Sequence, residues 1–167
     1  AATLLIVDDA QDVRNATSLR LKFAGYRVLE AGDGSSGVES VVTNQPNVVL
    51  LDVRMPVMDG LEALLALKAS SKTRQIPVVM LSASLVDQQG ALDAGAKYFL
   101  TKPYRSDELL HAVEAALADS ADHHDQRPTS ISHRGIRVDG PETTGRRAAG
   151  RMQTQSRRKE VVLHANR

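Results

Sequence analysis

Val48-Val49-Leu50-Leu51 runs without a polar interruption into Asp52, and a loop containing Pro56 and Gly60 follows before the next helical stretch, Leu61–Ala69. A wholly apolar run of this length, bounded by turn residues, is the pattern of a strand covered on both faces. The same pattern recurs at Thr3–Val7 (TLLIV), which ends at Asp8 and Asp9, and at Pro77–Leu81 (PVVML), which ends near Ser82. Tyr98–Thr101 (YFLT) is stopped by Lys102 and Pro103, and Tyr26–Glu30 is a shorter strand candidate. Between these runs lie helical stretches. Asp12–Ala24 carries Val13, Ala16, Leu19 (or Arg20) and Phe23 at helical spacing and stops at Gly25; Gly37–Thr43 is a weak helix closed off by Pro46. Val86–Ala94 is small and rich in Ala and Gly, and Asp107–Leu117 is amphipathic. Five strands alternating with five helices predict parallel βαβ units, hence a doubly wound α/β domain with helices on both faces of a parallel sheet.

This pattern ends near residue 118. Residues 1–119 carry 11 Lys+Arg and 15 Asp+Glu, a net of −4, whereas residues 120–167 carry 10 and 5, a net of +5. The slight overall excess of +1 therefore says little about the domain. Residues 119–167 are polar and basic, with one small apolar cluster at Val161–Leu163, and disorder is expected there. The absence of cysteine excludes a disulfide scaffold and thiolate metal sites. No apolar run approaches the ~20 residues of a membrane helix, and nothing resembles a signal peptide, so the expectation is a soluble, cytoplasmic protein with no membrane partner.

The chemistry is expected where strands end. In an open parallel sheet ligands bind at the carboxyl ends of the strands, near the point where strand order reverses. Asp8 and Asp9 follow the first strand, Asp52 the third, Ser82 the fourth and Lys102 the fifth, so three carboxylates, a hydroxyl and an ammonium converge on one rim. Crowded carboxylates repel, and a divalent cation that takes hard oxygen ligands, Mg²⁺ above all, offsets them. Such an ion also neutralises a phosphoryl group in transfer, and an ionised Asp attacks phosphorus without a general base.

IVDDA around Asp8 and Asp9, LLDVRMPVMDG around Asp52, VVMLSAS with Ser82 and GAKYFLTKPY with Lys102 together resemble the receiver (CheY-like) domains of two-component response regulators, over about residues 3–118. The resemblance implies a flavodoxin-like sheet with strand order 2-1-3-4-5. It implies Asp52 as the phospho-acceptor. Mg²⁺ would be held by Asp8, Asp9, Asp52 and the main-chain carbonyl of Arg54, with Asp9 a more direct ligand than Asp8. Ser82 would be the switch hydroxyl and Lys102 the phosphate-pairing lysine, with the Lys102–Pro103 bond in cis. Phe99 falls at the switch aromatic position, where a Phe can swing but cannot make the hydrogen bond of a Tyr hydroxyl; Tyr98 should face the other side of the strand. A histidine kinase or histidine phosphotransfer protein would donate the phosphoryl group. The signal would leave through the face formed by the fourth helix, fifth strand and fifth helix to an output protein, or through a phosphorylation-dependent homodimer. The protein would be an enzyme only toward its own phosphorylation and dephosphorylation, and Arg54 and Ser84, two residues beyond Asp52 and Ser82, would tune the latter.

Simpler roles compete at each position. Asp9 can cap the first helix, Asp52 can form a turn, Ser82 can be a satisfied buried hydroxyl, and Asp59–Gly60 reads as a turn and helix start. Convergence of all five polar positions on one rim favours the site, while Asp59 stays structural. A phosphatase with an aspartyl nucleophile needs a second acid two residues on, where Arg54 stands. A receiver-like binding module that is never phosphorylated, and a receiver segment of a longer hybrid kinase or DNA-binding regulator, are the alternative readings. His123, His124 and His133 lack metal-ligand spacing and His111 falls on the last helix; no pattern of a helix-turn-helix reader is present, so direct nucleic-acid binding is not expected.

Overall fold

The computed structural model describes residues 1–122; His123, His124, His133 and the tail beyond Asp122 lie outside them. The order is β1 (Thr3–Val7), α1 (Gln11–Phe23), β2 (Arg27–Ala31), α2 (Gly34–Asn44), β3 (Val48–Asp52), α3 (Gly60–Ala69), β4 (Val78–Ser82), α4 (Asp87–Asp93), β5 (Tyr98–Thr101) and α5 (Ser106–Asp122). All pairings are parallel and the sheet order is β2-β1-β3-β4-β5, so strand order reverses between β1 and β3.

The apolar strands divide their side chains between two cores. Leu5, Val7, Val49, Leu51, Val78 and Met80 pack with Val41, Leu64, Leu67 and Ala91 under α2, α3 and α4. Leu4, Ile6, Val48, Leu50, Val79 and Leu81 pack with Leu21, Leu109, Val113 and Ala116 under α1 and α5. The alternation of a strand thus feeds both faces, which is why no polar residue interrupts the central strands. Phe99 joins the first core and Tyr98 the second, on opposite sides of β5 as expected.

The face that α1 buries differs from the one its apolar spacing predicts. Leu19 and Phe23 are 57% and 84% exposed, and the buried positions are Thr17, Ser18 and Leu21. Polar residues tolerate burial here because each has a partner. The Ser18 hydroxyl donates to Glu30 Oε1 at 2.6 Å, and Thr17 shares a hydrogen bond of 2.9 Å with the Tyr104 hydroxyl. Arg14, one turn earlier on the same side, donates to the Asp8 carbonyl at 2.7 Å. α2 begins at Gly34, three residues before its expected start, because Asp33 caps it by accepting from the Ser36 amide at 2.8 Å. α5 runs past the expected domain end at 118, where Asp119 meets the Tyr98 hydroxyl at 3.0 Å and Lys97 Nζ at 3.2 Å.

Candidate functional site

Register brings the strand ends level. Val7 lies beside Ala31 and Leu51, Asp52 beside Leu81, and Ser82 beside Thr101, so Asp8, Asp52, Ser82 and Lys102 follow one another along the carboxyl edge. The chain leaves β3 through Val53–Asp59 and turns back so tightly that a Cβ on Gly60 would lie 2.0 Å from the Asp52 carbonyl oxygen. Only glycine permits that approach. Asp59 then caps α3: its carboxylate accepts from the Glu62 amide while Glu62 accepts from the Asp59 amide, both at 2.9 Å, the reciprocal arrangement of a capping box. Asp59 is therefore structural, as the sequence suggests.

Asp8, Asp9 and Asp52 each place a carboxylate oxygen within 4.8 Å of the others. Asp8 and Asp52 are buried, and Asp9 is exposed. Asp9 does not cap α1; the cap position is Ala10, whose amide donates instead to Asp8 Oδ1 at 2.9 Å. Lys102 reaches in from the end of β5, its ammonium 2.7 Å from Asp8 Oδ2 and 3.0 Å from Asp52 Oδ1. The Lys102–Pro103 peptide is cis.

Burial pushes the Asp52 carboxyl above its ordinary range; the Lys102 ammonium pulls the other way, and the Asp8 and Asp9 charges add to the upward push. Burial by itself would lower the Lys102 ammonium, but its hydrogen bonds to Asp8 and Asp52 outweigh that and raise it. The lysine stays charged and supplies a fixed cation beside Asp52 Oδ1. The three acids together offer hard oxygen donors within 4.8 Å of one another, a set that fits a small divalent cation.

Ser82 is fully buried at the end of β4, yet its hydroxyl does not point to Asp52. It donates to Asp87 Oδ2 at 2.6 Å and accepts from the Ser84 amide at 3.1 Å. Asp87 in turn is gripped by Arg54, with Nη2 2.7 Å from Oδ1 and Nε 3.4 Å from Oδ2. Asp87 was invisible to the strand-end argument, which stops at Ser82. The available signal was an acid in the first turn of the next helix, five residues on, facing an arginine from the neighbouring strand's loop. The Arg54 side chain is thus committed to α4.

A second feature borders the site. Val13, Ala16, Thr17, Arg20, Ala83, Lys102, Pro103 and Tyr104 line a depression next to the lysine, so one side of α1 opens toward Lys102.

Comparison with known proteins agrees with this geometry. The family model described as Response regulator receiver domain matches residues 4–114. The DNA-binding dual master transcriptional regulator RpaA of Synechocystis is 35% identical over 142 residues, which are 84% of this chain and 57% of that protein. The transcriptional regulatory protein PrrA of Mycobacterium tuberculosis is 35% identical over 147 residues, 87% of this chain and 61% of its own. The chain therefore spans about three fifths of the length of these relatives. Among solved structures, chemotaxis protein CheY4 of Vibrio cholerae superposes with a TM-score of 0.66 at 33% identity, covering 70% of this chain and 98% of that one. The receiver domain of sensor histidine kinase PA1611 from Pseudomonas aeruginosa, with a magnesium ion coordinated in its active-site cleft, gives 0.66 at 28% identity, covering 71% and 98%.

Proposed function

The chain belongs to the response regulator receiver domain family, and on that premise we propose that Asp52 is its phosphoryl acceptor and that residues 1–118 form the switch it drives. The observation that carries this reading is the placement of Asp52. It is a buried carboxylate at the end of the middle strand, 3.0 Å from a lysine ammonium and beside two further acids. In the proposed transfer the ionised Asp52 carboxylate forms a P–O bond as the P–N bond to the donor histidine breaks and its imidazole leaves with the electron pair, and the Lys102 ammonium offsets the charge brought to the buried site.

Receiver domains bind a divalent metal in their acidic pocket, and the donor set here fits one. Asp8, Asp9, Asp52 and the Arg54 carbonyl would hold Mg²⁺, with Asp9, the exposed acid, the readiest to bind it directly. When bound, Mg²⁺ supplies positive charge against the phosphoryl oxygens. The chain's own residues do the rest. Lys102 pairs with a second phosphoryl oxygen, the ordered Asp52 Oδ1 fixes the direction of Oδ2, and the loop before Gly60 keeps both in place. Ser82 then donates its hydroxyl to the phosphoryl group, and Phe99, packed under α4, is the aromatic that responds.

Response regulators work with histidine kinases and output domains, and the proposed donor here is a histidine kinase or histidine phosphotransfer protein in the cytoplasm. The proposed exit is the face of α4, β5 and α5, toward a protein output or a second copy of the chain rather than nucleic acid. Receiver domains are in general not enzymes, and the proposed catalysis is confined to the phosphorylation and dephosphorylation of Asp52, with Arg54 and Ser84 setting the rate of the latter. Residues 119–167 are proposed to be a tail outside the switch.

The test is intact mass after incubation with Mg²⁺ and acetyl phosphate, beside Asp52→Asn. One added phosphoryl group on the wild type alone, abolished by a chelator, is the expected result. An adduct on the variant, or none on either, overturns the reading.

A further inference from the structure

Ser82 has one proton to give, and in this structure it is given to Asp87. The bond is short, 2.6 Å to a carboxylate oxygen, and it leaves a fully buried hydroxyl with no second proton for any group on Asp52. On its other side Asp87 pairs with the more exposed Arg54, whose Nη2 and Nε lie 2.7 and 3.4 Å from its carboxylate oxygens. Arg54 sits two residues after Asp52, and Asp87 is the first residue of α4. The three side chains therefore tie the loop after β3, the end of β4 and the start of α4 into one unit. The two residues before Asp87, Leu85 and Val86, are 65% and 86% exposed, so they give this corner little apolar packing.

We propose that Asp87, clamped by Arg54, is a positioning residue that withholds the Ser82 hydroxyl from Asp52, and that a phosphoryl group on Asp52 acts by competing for both of Asp87's partners. The inference rests on the receiver reading above and deepens it. A phosphoryl group brings nearly two negative charges and three acceptor oxygens to the end of β3, which pairs with Leu81 just before Ser82 and lies two residues before Arg54. Transfer of the Ser82 proton donor from Asp87 to a phosphoryl oxygen breaks one charge-assisted bond and forms another. Asp87 is then left with neither the hydroxyl nor, once Arg54 turns inward, its ion pair. The start of α4 is released, and the change reaches the face that carries the output. The resting state is thus an occupied alternative rather than an empty one.

The test uses beryllium fluoride with Mg²⁺, a mimic of the phosphoryl group, titrated calorimetrically into the full chain and its variants. Removal of the competing acceptor in Asp87→Ala should tighten binding about tenfold, the low end of what a hydrogen bond to a charged group contributes. Asp87→Asn keeps an acceptor without the charge and should fall between the two; it also serves if the alanine variant does not fold, which a thermal melt reports. The decisive comparison is in a Ser82→Ala background. If Asp87 works by holding the hydroxyl, Asp87→Ala gains little there. Equal affinity of wild type and both Asp87 variants overturns the proposal, as does an undiminished gain in the Ser82→Ala background, which would mean simple removal of a nearby charge. Failure of the wild type and every variant to bind removes the receiver reading, and this proposal with it.

Discussion

Asp52→Asn should make this protein more stable, and the site allows the size of the effect to be worked out. At neutral pH without metal, Asp52 faces Asp8 and Asp9 with oxygens within 4.8 Å. At that separation and an effective dielectric of about 20, each pair of like charges opposes the fold by about 3.5 kcal/mol. Asp9 is exposed, so its share is screened by roughly half, and the two together oppose by about 5 kcal/mol. The Lys102 ammonium, 3.0 Å from Asp52, returns about 5.5 kcal/mol on the same scale. Charge terms nearly cancel, and the burial of Asp52 decides the sign. That agrees with the upward displacement of its carboxyl, in which burial is the largest cause. Asn carries no charge to desolvate and can still accept from Lys102, so a gain of about 1–2 kcal/mol is expected. For a domain of this size that is a rise of about 3–8 °C in Tm.

The pH dependence follows from the same displacement. A carboxyl raised above 3.8 in the fold favours the folded state when protonated, so its contribution is present below 3.8 and lost as pH rises through the folded value. The variant's advantage should therefore be greatest near neutral pH and close as pH falls toward 3.8. Mg²⁺ should narrow it from the other side, by stabilising the wild type more than the variant. Differential scanning calorimetry in chelator, across this pH range and then with Mg²⁺, measures all three. A gap independent of pH would rule out burial of the Asp52 charge as its source, and a variant that melts below the wild type at neutral pH would show that the lysine pair dominates the site.

Lys102→Ala should leave Asp8 and Asp52 buried without their ammonium and cost about 3 kcal/mol in chelator, part of it recovered by Mg²⁺ in urea titrations. The raised Lys102 ammonium contributes stability below 10.5 that is lost as pH climbs through its folded value, so the wild type, but not this variant, should weaken in strong alkali. Leu21→Ala should cost about 3 kcal/mol and Phe23→Ala less than about 0.5 kcal/mol in the same titrations, because Leu21 is fully buried and Phe23 is 84% exposed. Val57 holds φ at +69° on a fully exposed loop tip, a conformation costly for a β-branched residue, so Val57→Asn should gain about 1 kcal/mol; an unchanged melt would show that the loop relaxes at no cost.

The sheet was legible because strands buried on both faces have little choice of composition. Ahead of the strand ends the buried positions of β1, β3 and β4 are apolar, so the runs stand out and the first polar residue that closes each run marks the rim. That signal located Asp8, Asp52, Ser82 and Lys102. It failed on α1, where Val13, Ala16, Leu19 and Phe23 make the better apolar stripe and Arg14, Thr17, Ser18 and Leu21 face inward. Apolar periodicity assumes that buried means apolar. Near the site the buried face instead satisfies polar neighbours: Glu30, Tyr104 and the Asp8 carbonyl. Asp87 escaped for a related reason. Its role comes from the distance to Ser82 and Arg54 in space, and three residues on three elements leave no periodic trace.

These partnerships constrain how the switch can work. Each group that would receive a phosphoryl oxygen is already held by a carboxylate: Lys102 by Asp8 and Asp52, Ser82 by Asp87, and Arg54 by Asp87. On the proposed reading, phosphorylation exchanges acceptors instead of adding bonds to idle donors. An exchange has a small net free energy, because each bond gained is matched by one given up, and that keeps the two states within a few kcal/mol of one another. Had Ser82 and Lys102 been unengaged, the phosphorylated form would be favoured by the sum of their new bonds, and return after dephosphorylation would leave buried donors unmatched. The acids around the rim thus do two jobs in this reading: three of them assemble the phosphorylation chemistry, and Asp87 sets how hard the switch is to throw.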